Sequence, residues 1–347
     1  MKIIYGVSGE GFGHSSRSKE IISHLKKKGH KVLVLTYGQA LGPLKKFKPI
    51  KIPGIIIHFN EKNSLSLPKT ALNAIESYVN SVPNFFEIKR KIDSFNPDVF
   101  ITDFEPLTAI ISFWYKKPLI SIDNQHILTN LNIRIPKKYI SSYFVAKTAT
   151  NLCVSKAKAF IILSFIKQKS NENTFIVSPV LRKEIINLKP SKSDFILVYQ
   201  TKKDKKLVNN LKSLPYHFVV YGHETPYKRE NITYKKISST FIKDLSKAKA
   251  VIASAGFTLI SEALYLKKPY FAIPLKGQFE QTLNALFIKK AKLGDYSENP
   301  SKKQIQNFLK NLKKYEKNLM NYNLNPKEAT NALDNILKNI NFISEKG

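Results

Sequence analysis

The sequence holds a single cysteine, Cys153, with two methionines and one tryptophan in 347 residues. One cysteine excludes an intramolecular disulfide and a thiolate zinc site. Arginine is nearly as scarce: Arg17, Arg90, Arg134, Arg182 and Arg229 are the whole complement, against 52 lysines. Acidic residues number 25 against 57 basic ones, so the formal net charge is +32. No apolar run approaches the ~18–20 residues of a membrane-spanning helix; the longest are Ala159 to Ile166 and Ala109 to Tyr115. Met1 to Val7 gives way at once to Ser8-Gly9-Glu10-Gly11, too short an apolar stretch for a signal peptide. A cytoplasmic protein is expected.

What is present supports folded cores. Hydrophobic residues make up 43% of the chain and aromatics 11%, which excludes a disordered basic tail. The length predicts two domains. A charge of +32 points first to nucleic acid, because Lys and Arg neutralise phosphates. Readers of nucleic acid lean on Arg, however, for its bidentate contacts. Here the cations are lysines spread along the whole chain, in company with many Ile and Asn residues. This argues for a compositional background and against nucleic acid as the partner. An anionic membrane surface fits better, since each nearby Lys contributes about 1 kcal/mol there.

Short apolar runs alternate with amphipathic stretches, the pattern of a parallel sheet covered on both faces. Strands are expected at Ile3 to Val7, Lys31 to Thr36, Asp98 to Thr102, Leu119 to Ile122 and Lys158 to Leu163. Helices are expected at Ser16 to Lys28 and Leu107 to Tyr115. Ser178 to Asp194, with Pro179 and Pro190, reads as a linker. The pattern then restarts with strands at Phe195 to Tyr199, His217 to Tyr221, Ile232 to Ile237, Ala250 to Ala253 and Pro269 to Ile273. Helices are expected between them at Lys203 to Leu214, Thr240 to Lys247 and Phe257 to Leu266, then at Phe279 to Lys290. From Lys303 on, Ile305, Phe308, Leu309, Leu312 and Leu319 recur at helical spacing. The fold class is therefore α/β, with two doubly wound, Rossmann-like domains facing a cleft at the carboxyl ends of their strands, and helices at the C-terminus.

Two constellations carry chemistry. Gly9-Glu10-Gly11-Phe12-Gly13-His14 follows the first strand directly. Such glycines let backbone approach a ligand, and the following helix presents N–H groups. The spacing is not G-x-G-x-x-G, and Thr36-Tyr37-Gly38 supplies no acid after the second strand, so a dinucleotide fingerprint is absent. The second is Ser254-Ala255-Gly256-Phe257-Thr258 through Glu262, followed by Lys268-Pro269, Pro274, and Gln278-Phe279-Glu280-Gln281 with Asn284. A strand ends in a small-residue turn, and the next helix offers its amino terminus to an anion. Glu262 can accept hydrogen bonds from two vicinal ribose hydroxyls. Gln278, Glu280 and Gln281 offer the mixed donors and acceptors that sugar hydroxyls need. A tight turn in the first case, and a capped helix with a solvated Glu in the second, are the alternatives without chemistry.

Together these strings resemble the GT-B nucleotide-sugar glycosyltransferases. The C-terminal half is similar to the family containing the lipid-linked N-acetylglucosaminyltransferase of peptidoglycan synthesis, and more distantly to UDP-glycosyltransferases. The matching string runs from Ala253 to Gly294, and the Gly-x-Gly-x-Gly-His string matches the family's acceptor-side loop. The resemblance implies an acceptor-side domain over 1–178, a linker over 179–194 and a nucleotide-sugar-binding domain over 195–320. A helical tail over 321–347 is expected to pack back on the first domain. It further implies Gly256, Phe257 and Thr258 at the donor diphosphate, Ser254 among the donor-binding residues and Glu262 on the ribose. Gln278, Glu280 and Gln281 would meet the sugar, with Asn284 on the same helix. Gly9, Glu10, Gly11 and Gly13 form the acceptor-side loop. The chain departs from the family at Tyr199-Gln200-Thr201-Lys202, where Gly and Ser usually stand, and in the order Gln278-Phe279-Glu280-Gln281. The donor sugar stays open.

The implied activity is a metal-independent, inverting transfer of a hexosyl or N-acetylhexosaminyl group from a UDP-sugar. The acceptor is unidentified, and lipid-linked in the nearest relatives. Such a transfer needs a base for the acceptor hydroxyl, and a His backed by a carboxylate suits near-neutral pH. His14 with Asp103 matches the UDP-glycosyltransferase pair, with Glu105 as the second choice of partner and Asp123 and His126 on the same rim. Helix capping is the bland alternative for His14 and for Asp103. His24, His30, His58 and His217 read as structural, and His223, after Gly222, is a candidate for the nucleotide base. With no HExxH or Asp-x-Asp pattern, no metal is expected, and no cofactor beyond the UDP-sugar as co-substrate. Leu41 to Phe47 and Phe113 to Lys117 mix apolar residues with lysines, as at an anionic interface, here the inner face of the membrane, or equally as at ordinary core edges with snorkelling lysines. Two other activities compete: a UDP-sugar 2-epimerase on the same fold, and a basic nucleic-acid-binding protein on an inactive transferase scaffold.

Overall fold

The alternation of buried strands and amphipathic helices becomes two separate sheets in a computed structural model. The structure describes residues 1–54, 76, 82–154, 156–168, 173–199, 204–222, 226–238 and 240–343. The expectations placed on His58, Gln200, Thr201, Lys202 and His223 lie outside the described residues. The chain divides into two units, Met1–Val180 with Asn325–Gly347, and Leu181–Leu324.

The first unit runs β1 (Lys2–Val7), α1 (Gly11–Lys27), β2 (Lys31–Thr36), β3 (Ile50–Lys51), α2 (Val82–Phe95), β4 (Val99–Asp103), α3 (Pro106–Trp114), β5 (Leu119–Asp123), α4 (Ile140–Cys153), β6 (Ala159–Leu163) and β7 (Thr174–Val177). Its sheet order is β3-β2-β1-β4-β5-β6-β7, parallel throughout. β4 and β5 are buried along their whole length, as a sheet covered on both faces requires. Ile4, Leu35 and Phe100 of the strands pack with Ile88 and Ile92 of α2 and with Leu107 and Ile111 of α3. β7 adds a strand beyond Leu163, where the sequence pattern ended the first domain. Its alternation is hidden because Phe175 and Ile176 are both only half-buried. A last helix, Glu328–Ile343, packs on β6 and β7 and ties to α1 through His24 and Asp334, 2.9 Å apart.

The second unit runs β8 (Phe195–Tyr199), α5 (Lys205–Lys212), β9 (His217–Tyr221), β10 (Tyr227–Arg229), β11 (Ile232–Lys235), α6 (Thr240–Lys247), β12 (Ala250–Ser254), α7 (Phe257–Tyr265), β13 (Tyr270–Ile273), α8 (Phe279–Lys290), β14 (Gly294–Tyr296), α9 (Lys302–Lys310) and α10 (Leu312–Met320). Its order is β10-β11-β9-β8-β12-β13-β14, parallel except for β10 against β11. Residues 181–194, expected as a linker, fold into this unit. Ser191 and Ser193 donate backbone N–H groups to Ser246 and Lys247, and the buried Lys268 donates to the Ser191 carbonyl. The core joins Ile196, Val198, Phe218 and Ile252 to Leu207 and Leu211 of α5 and Phe308 of α9.

Both sheets are doubly wound. In the first, the chain leaves β1 toward β2 on one side and returns to β4 on the other. In the second, β8 is flanked in the same way by β9 and β12. Ligands of open α/β sheets bind beyond the strand ends at such switch points. The Gly-rich turn after β1, the end of β4 and the end of β12 all lie there.

Close packing around β1 fixes the first switch point. A Cβ on Gly6 would come within 1.9 Å of the Thr108 hydroxyl on α3, so only glycine lets the helix lie this near the strand. Gly6→Ala is therefore expected to overpack this contact and destabilise the protein by about 1–3 kcal/mol. A thermal melt of the variant, several degrees below the parent, checks this.

Candidate active site

Parallel register brings the first pair together. Val7, the last residue of β1, stands opposite Asp103, the last residue of β4, and Ser8 N–H donates to the Asp103 carbonyl at 3.1 Å. The chain turns at Gly9, where a Cβ would strike the Tyr37 carbonyl at 2.3 Å, and enters α1 at Gly11. The helix thus starts five residues earlier than the periodicity from Ser16 predicts. Gly13 and His14 sit in its first turn, and Glu10 is the N-cap residue without a side-chain cap bond. Glycine spacing hid this start, because glycine is a poor helix former and weakens the apolar period.

His14 Nδ1 lies 2.7 Å from Asp103 Oδ1. Asp103 has no exposed surface, while the His14 side chain keeps 13% exposure. Arg17, one turn further on, forks onto the same carboxylate, Nε to Oδ2 at 2.9 Å and Nη2 to Oδ1 at 2.6 Å. Ser18 Oγ donates to Oδ2 at 2.7 Å, and Arg17 Nη1 donates to Asn124 Oδ1 at 2.7 Å. Burial pushes the Asp103 carboxyl up, but the adjacent Arg17 and His14 outweigh it and hold the group well below the usual carboxylate range. Gln125 Nε2 lies 3.5 Å from His14 Nε2. Phe104, stacked on His14 with ring centres 6.3 Å apart, has φ of 55°. A bulky residue in the left-handed region is strained, and such strain gathers at functional sites.

Glu105 is not a partner of His14. Its carboxylate accepts from the Leu107 and Thr108 N–H groups and from the Thr108 hydroxyl, making it the N-cap of α3. Capping at this point thus falls to Glu105 and leaves Asp103 to His14 and Arg17. Asp123 and His126 form a separate buried pair, Oδ2 to Nδ1 at 2.7 Å, with Ser121 donating to Asp123 and His126 Nε2 facing the Val154 carbonyl at 2.9 Å.

In the second unit, β12 and β13 run side by side, and α7 and α8 begin at the ends of these neighbouring strands. Gly256 is the N-cap of α7; among the described residues no side chain caps it and no acid lies in its first turn. Phe257 is buried and Thr258 half-buried at the start of that helix. The Ser254 carbonyl accepts from the Tyr270 hydroxyl at 2.7 Å, and Asn284 Nδ2 donates to the Ala255 carbonyl at 3.0 Å. Asn284 therefore braces the turn from below. Gln281 donates to Gln278 Oε1 at 2.5 Å and accepts from Leu275 N–H at 3.2 Å, while Glu280 is half-buried in the first turn of α8.

Glu262 is buried and held at two points by Arg182, Nε to Oε1 and Nη2 to Oε2, both at 2.6 Å. Burial raises its pKa and Arg182 opposes this, the two-point fork requiring the ionised carboxylate. Sequence reasoning missed Arg17, Ser18, Asn124, Gln125 and Arg182. The signal was present in the composition: in a chain that writes lysine almost everywhere, two of the five arginines, Arg17 and Arg182, stand where a planar fork meets a buried carboxylate. His14, Arg17 and Ser18 also share the i, i+3, i+4 spacing of one helix face.

Among the described residues, no group of three or more His, Cys, Asp or Glu side chains is placed to hold a metal ion, and no helix is long and apolar enough to cross a membrane. Of the two readings of Leu41 to Phe47, interface or core edge, the packing follows the core edge. Leu44 is buried and Lys46 lies over the Phe47 ring at 4.6 Å.

Residues 1–313 match the family model of glycosyl transferase family 1. An uncharacterized glycosyltransferase of Methanosarcina acetivorans is 24% identical over 330 residues, 85% of each chain. Among solved structures, the glycotransferase of kitacinnamycin superposes with a TM-score of 0.70 at 14% identity, covering 97% of this chain and 98% of its own. Acinetobacter baumannii MurG superposes with a TM-score of 0.62 at 16% identity, covering 97% of this chain and all of its own. These likenesses show the GT-B α/β fold.

The Asp123–His126 pair gives a stability prediction with a defined sign. Burial lowers the His126 pKa, but the Asp123 charge and its hydrogen bonds outweigh it, so the folded value is raised. Asp123 is lowered by His126 against its own burial. The histidine's contribution is complete below its unfolded pKa and is lost as pH rises through the raised folded value. The aspartate's is present above the ordinary carboxylate range and is lost on acidification. Stability should thus decline on the alkaline side, and His126→Gln should flatten that limb at a cost of about 1.5–3 kcal/mol in the plateau. Thermal melts from about pH 5 to pH 9 read both.

Proposed function

The chain belongs to glycosyl transferase family 1, and from that premise we propose that it moves a hexosyl or N-acetylhexosaminyl group from a UDP-sugar to an acceptor hydroxyl, with inversion at the anomeric carbon. The observation that carries this reading is His14 Nδ1 at 2.7 Å from a fully buried Asp103 carboxylate at the switch point of the first sheet. His14 is the catalytic base. Its Nε2 takes the proton of the acceptor hydroxyl as that oxygen bonds to the anomeric carbon, and the bond from that carbon to the diphosphate breaks. Asp103 holds Nδ1 and stabilises the imidazolium that forms.

In this reading the second unit holds the donor. The diphosphate lies at the amino terminus of α7, at Ser254, Gly256, Phe257 and Thr258, where the helix dipole and backbone N–H groups take up the charge of the leaving group without a metal. Glu262 accepts the ribose diol on the lone pairs that Arg182 leaves, since each carboxylate oxygen accepts more than one hydrogen bond. Gln278, Glu280 and Gln281 meet the sugar, and Asn284 keeps the turn in place. Gly9, Glu10, Gly11 and Gly13 border the acceptor.

A screen of UDP-, GDP-, ADP- and TDP-sugars by thermal shift should single out the UDP-sugars; a ligand at 100 times its Kd adds about 2.7 kcal/mol. With the donor found, His14→Ala should lower transfer by about 10²–10⁴-fold while the donor's thermal shift persists. Full transfer by His14→Ala would remove the base assignment. A donor converted to a free 2-epimer without acceptor would replace transfer by epimerisation.

The acceptor side carries an apolar surface suited to an anionic membrane. Phe86 of α2 is 74% exposed, and Phe113 and Trp114 of α3 are 77% and 57% exposed. Beside them runs a groove of about 300 Å³ lined by Phe85, Ile88, Ile92, Ile111, Trp114 and Tyr115. Lys89 and Arg90 of α2 and Lys116 and Lys117 just after α3 are exposed, Lys89 being paired at 2.6 Å with Asp93, which also lines the groove. Aromatics that insert, with lysines that meet headgroups, make a peripheral docking face. Flotation with anionic liposomes should carry the protein upward in low salt, and Phe113→Ser with Trp114→Ser should leave it at the bottom. A parent protein that stays in solution excludes the membrane.

A further inference from the structure

We propose that Arg17 is a positioning residue that fixes the tautomer of His14, acting through Asp103 and never on the substrate. The inference rests on the reading of His14 as the base.

Arg17 is 4% exposed. Taking a guanidinium out of water is costly unless its hydrogen bonds are met in good geometry. Here they are met by one carboxylate and one amide. Nε and Nη2 straddle Asp103, and Nη1 reaches Asn124. With Ser18 Oγ on Oδ2 as well, the plane of the Asp103 carboxylate is fixed from the α1 side. Oδ1, bonded once by Nη2, keeps a lone pair for His14 Nδ1 at 2.7 Å.

Two contacts at His14 Nδ1 compete. Asp103 Oδ1 can only accept, so it needs hydrogen on Nδ1. Arg17 Nη2, 2.9 Å from the same nitrogen, can only donate, so it needs a bare Nδ1. The carboxylate prevails while the fork holds, because a charged acceptor makes a stronger bond with the ring N–H than the ring nitrogen makes as an acceptor from Nη2. At the other side of the ring, the amide nitrogen of Gln125 faces Nε2 and suits a bare nitrogen there. The resulting form, hydrogen on Nδ1 and a lone pair on Nε2, is the one that can take a proton from a hydroxyl. Were the fork lost, Asp103 could turn, and the arginine's place would no longer decide the ring's tautomer. Lysine, the residue this chain uses elsewhere, has the charge without the fork.

Histidine labelled with nitrogen-15 in the full chain reads the tautomer directly. His14 is assigned by the signals missing from His14→Gln, and spectra are taken above the ordinary histidine range. The expected parent spectrum has a pyrrole-type signal at Nδ1 and a pyridine-type signal at Nε2. In Arg17→Lys both signals should move toward the average of a tautomer mixture, and in Ser18→Ala in the same direction by less. A purely structural arginine would lower the melting temperature and leave the signals where they were. The proposal is overturned by a parent protein with hydrogen on Nε2, or by a folded Arg17→Lys with unchanged signals. If Arg17→Lys does not fold, the parent spectrum and Ser18→Ala decide. Transfer retained in His14→Ala would remove the base role, yet these signals would still report whether Arg17 governs the ring.

Discussion

A carboxylate with no exposed surface stays ionised only if donors meet it on every side. Asp103 is such a group, and its donors, His14, Arg17 and Ser18, all come from the first two turns of α1. α1 can deliver them only because it begins directly after β1, and because β1 lies beside β4 with Val7 opposite Asp103. Strand pairing, helix start and side-chain network therefore depend on one another. The glycines serve this arrangement. Gly9 lets the turn pass the Tyr37 carbonyl, and Gly6 lets α3 lie against β1. Within the glycine-rich string after the first strand, packing accounts for Gly9, and the positive φ of 71° accounts for Gly11.

The chain's charge has two layers. Most of its 52 lysines decorate the surface, where they influence long-range attraction and little else. Two of the five arginines form bidentate pairs with buried carboxylates, Arg17 with Asp103 and Arg182 with Glu262. Lysine could supply the charge at either place, but not two parallel N–H groups in a plane. In a lysine-biased chain, an arginine is therefore more informative about structure than the net charge is.

The strands were legible because buried parallel strands are short apolar runs; Phe195–Tyr199 and His217–Tyr221 fall at their expected limits. Where apolar character was diluted, the pattern failed. β7 carries two half-buried residues, β10 is wholly exposed, and α4 buries only Thr150 of its fourteen residues. His14 and Asp103 were legible as partners because both stand at strand ends of one sheet edge. Asp103 stood first and Glu105 second as that partner; the structure gives Phe104 a φ of 55° and has Glu105 cap α3. Arg182 was hidden for a different reason: its partner lies 80 residues away, and only the folded chain shows that separation closed.

The two buried carboxylates differ in what they do to the helix they join. Asp103 lies off the end of β4 and gathers α1 to it. Glu262 lies within α7 itself, in the turn after Thr258, where an unpaired negative charge would weaken the attraction of the helix amino terminus for an anion. Arg182 neutralises it at two points of 2.6 Å. The amino terminus of α7, with no acid in its first turn, therefore keeps its positive potential while a carboxylate remains one turn away. A ligand that is anionic at one end and rich in hydroxyls at the other meets both requirements along a single helix. The nucleoside diphosphate of the donor proposed above has that distribution, its phosphates and ribose being only a few bonds apart. The pairing with Arg182 is what allows the two demands to coexist, since without it the carboxylate would either take up a proton in its buried site or repel an anion at the helix amino terminus.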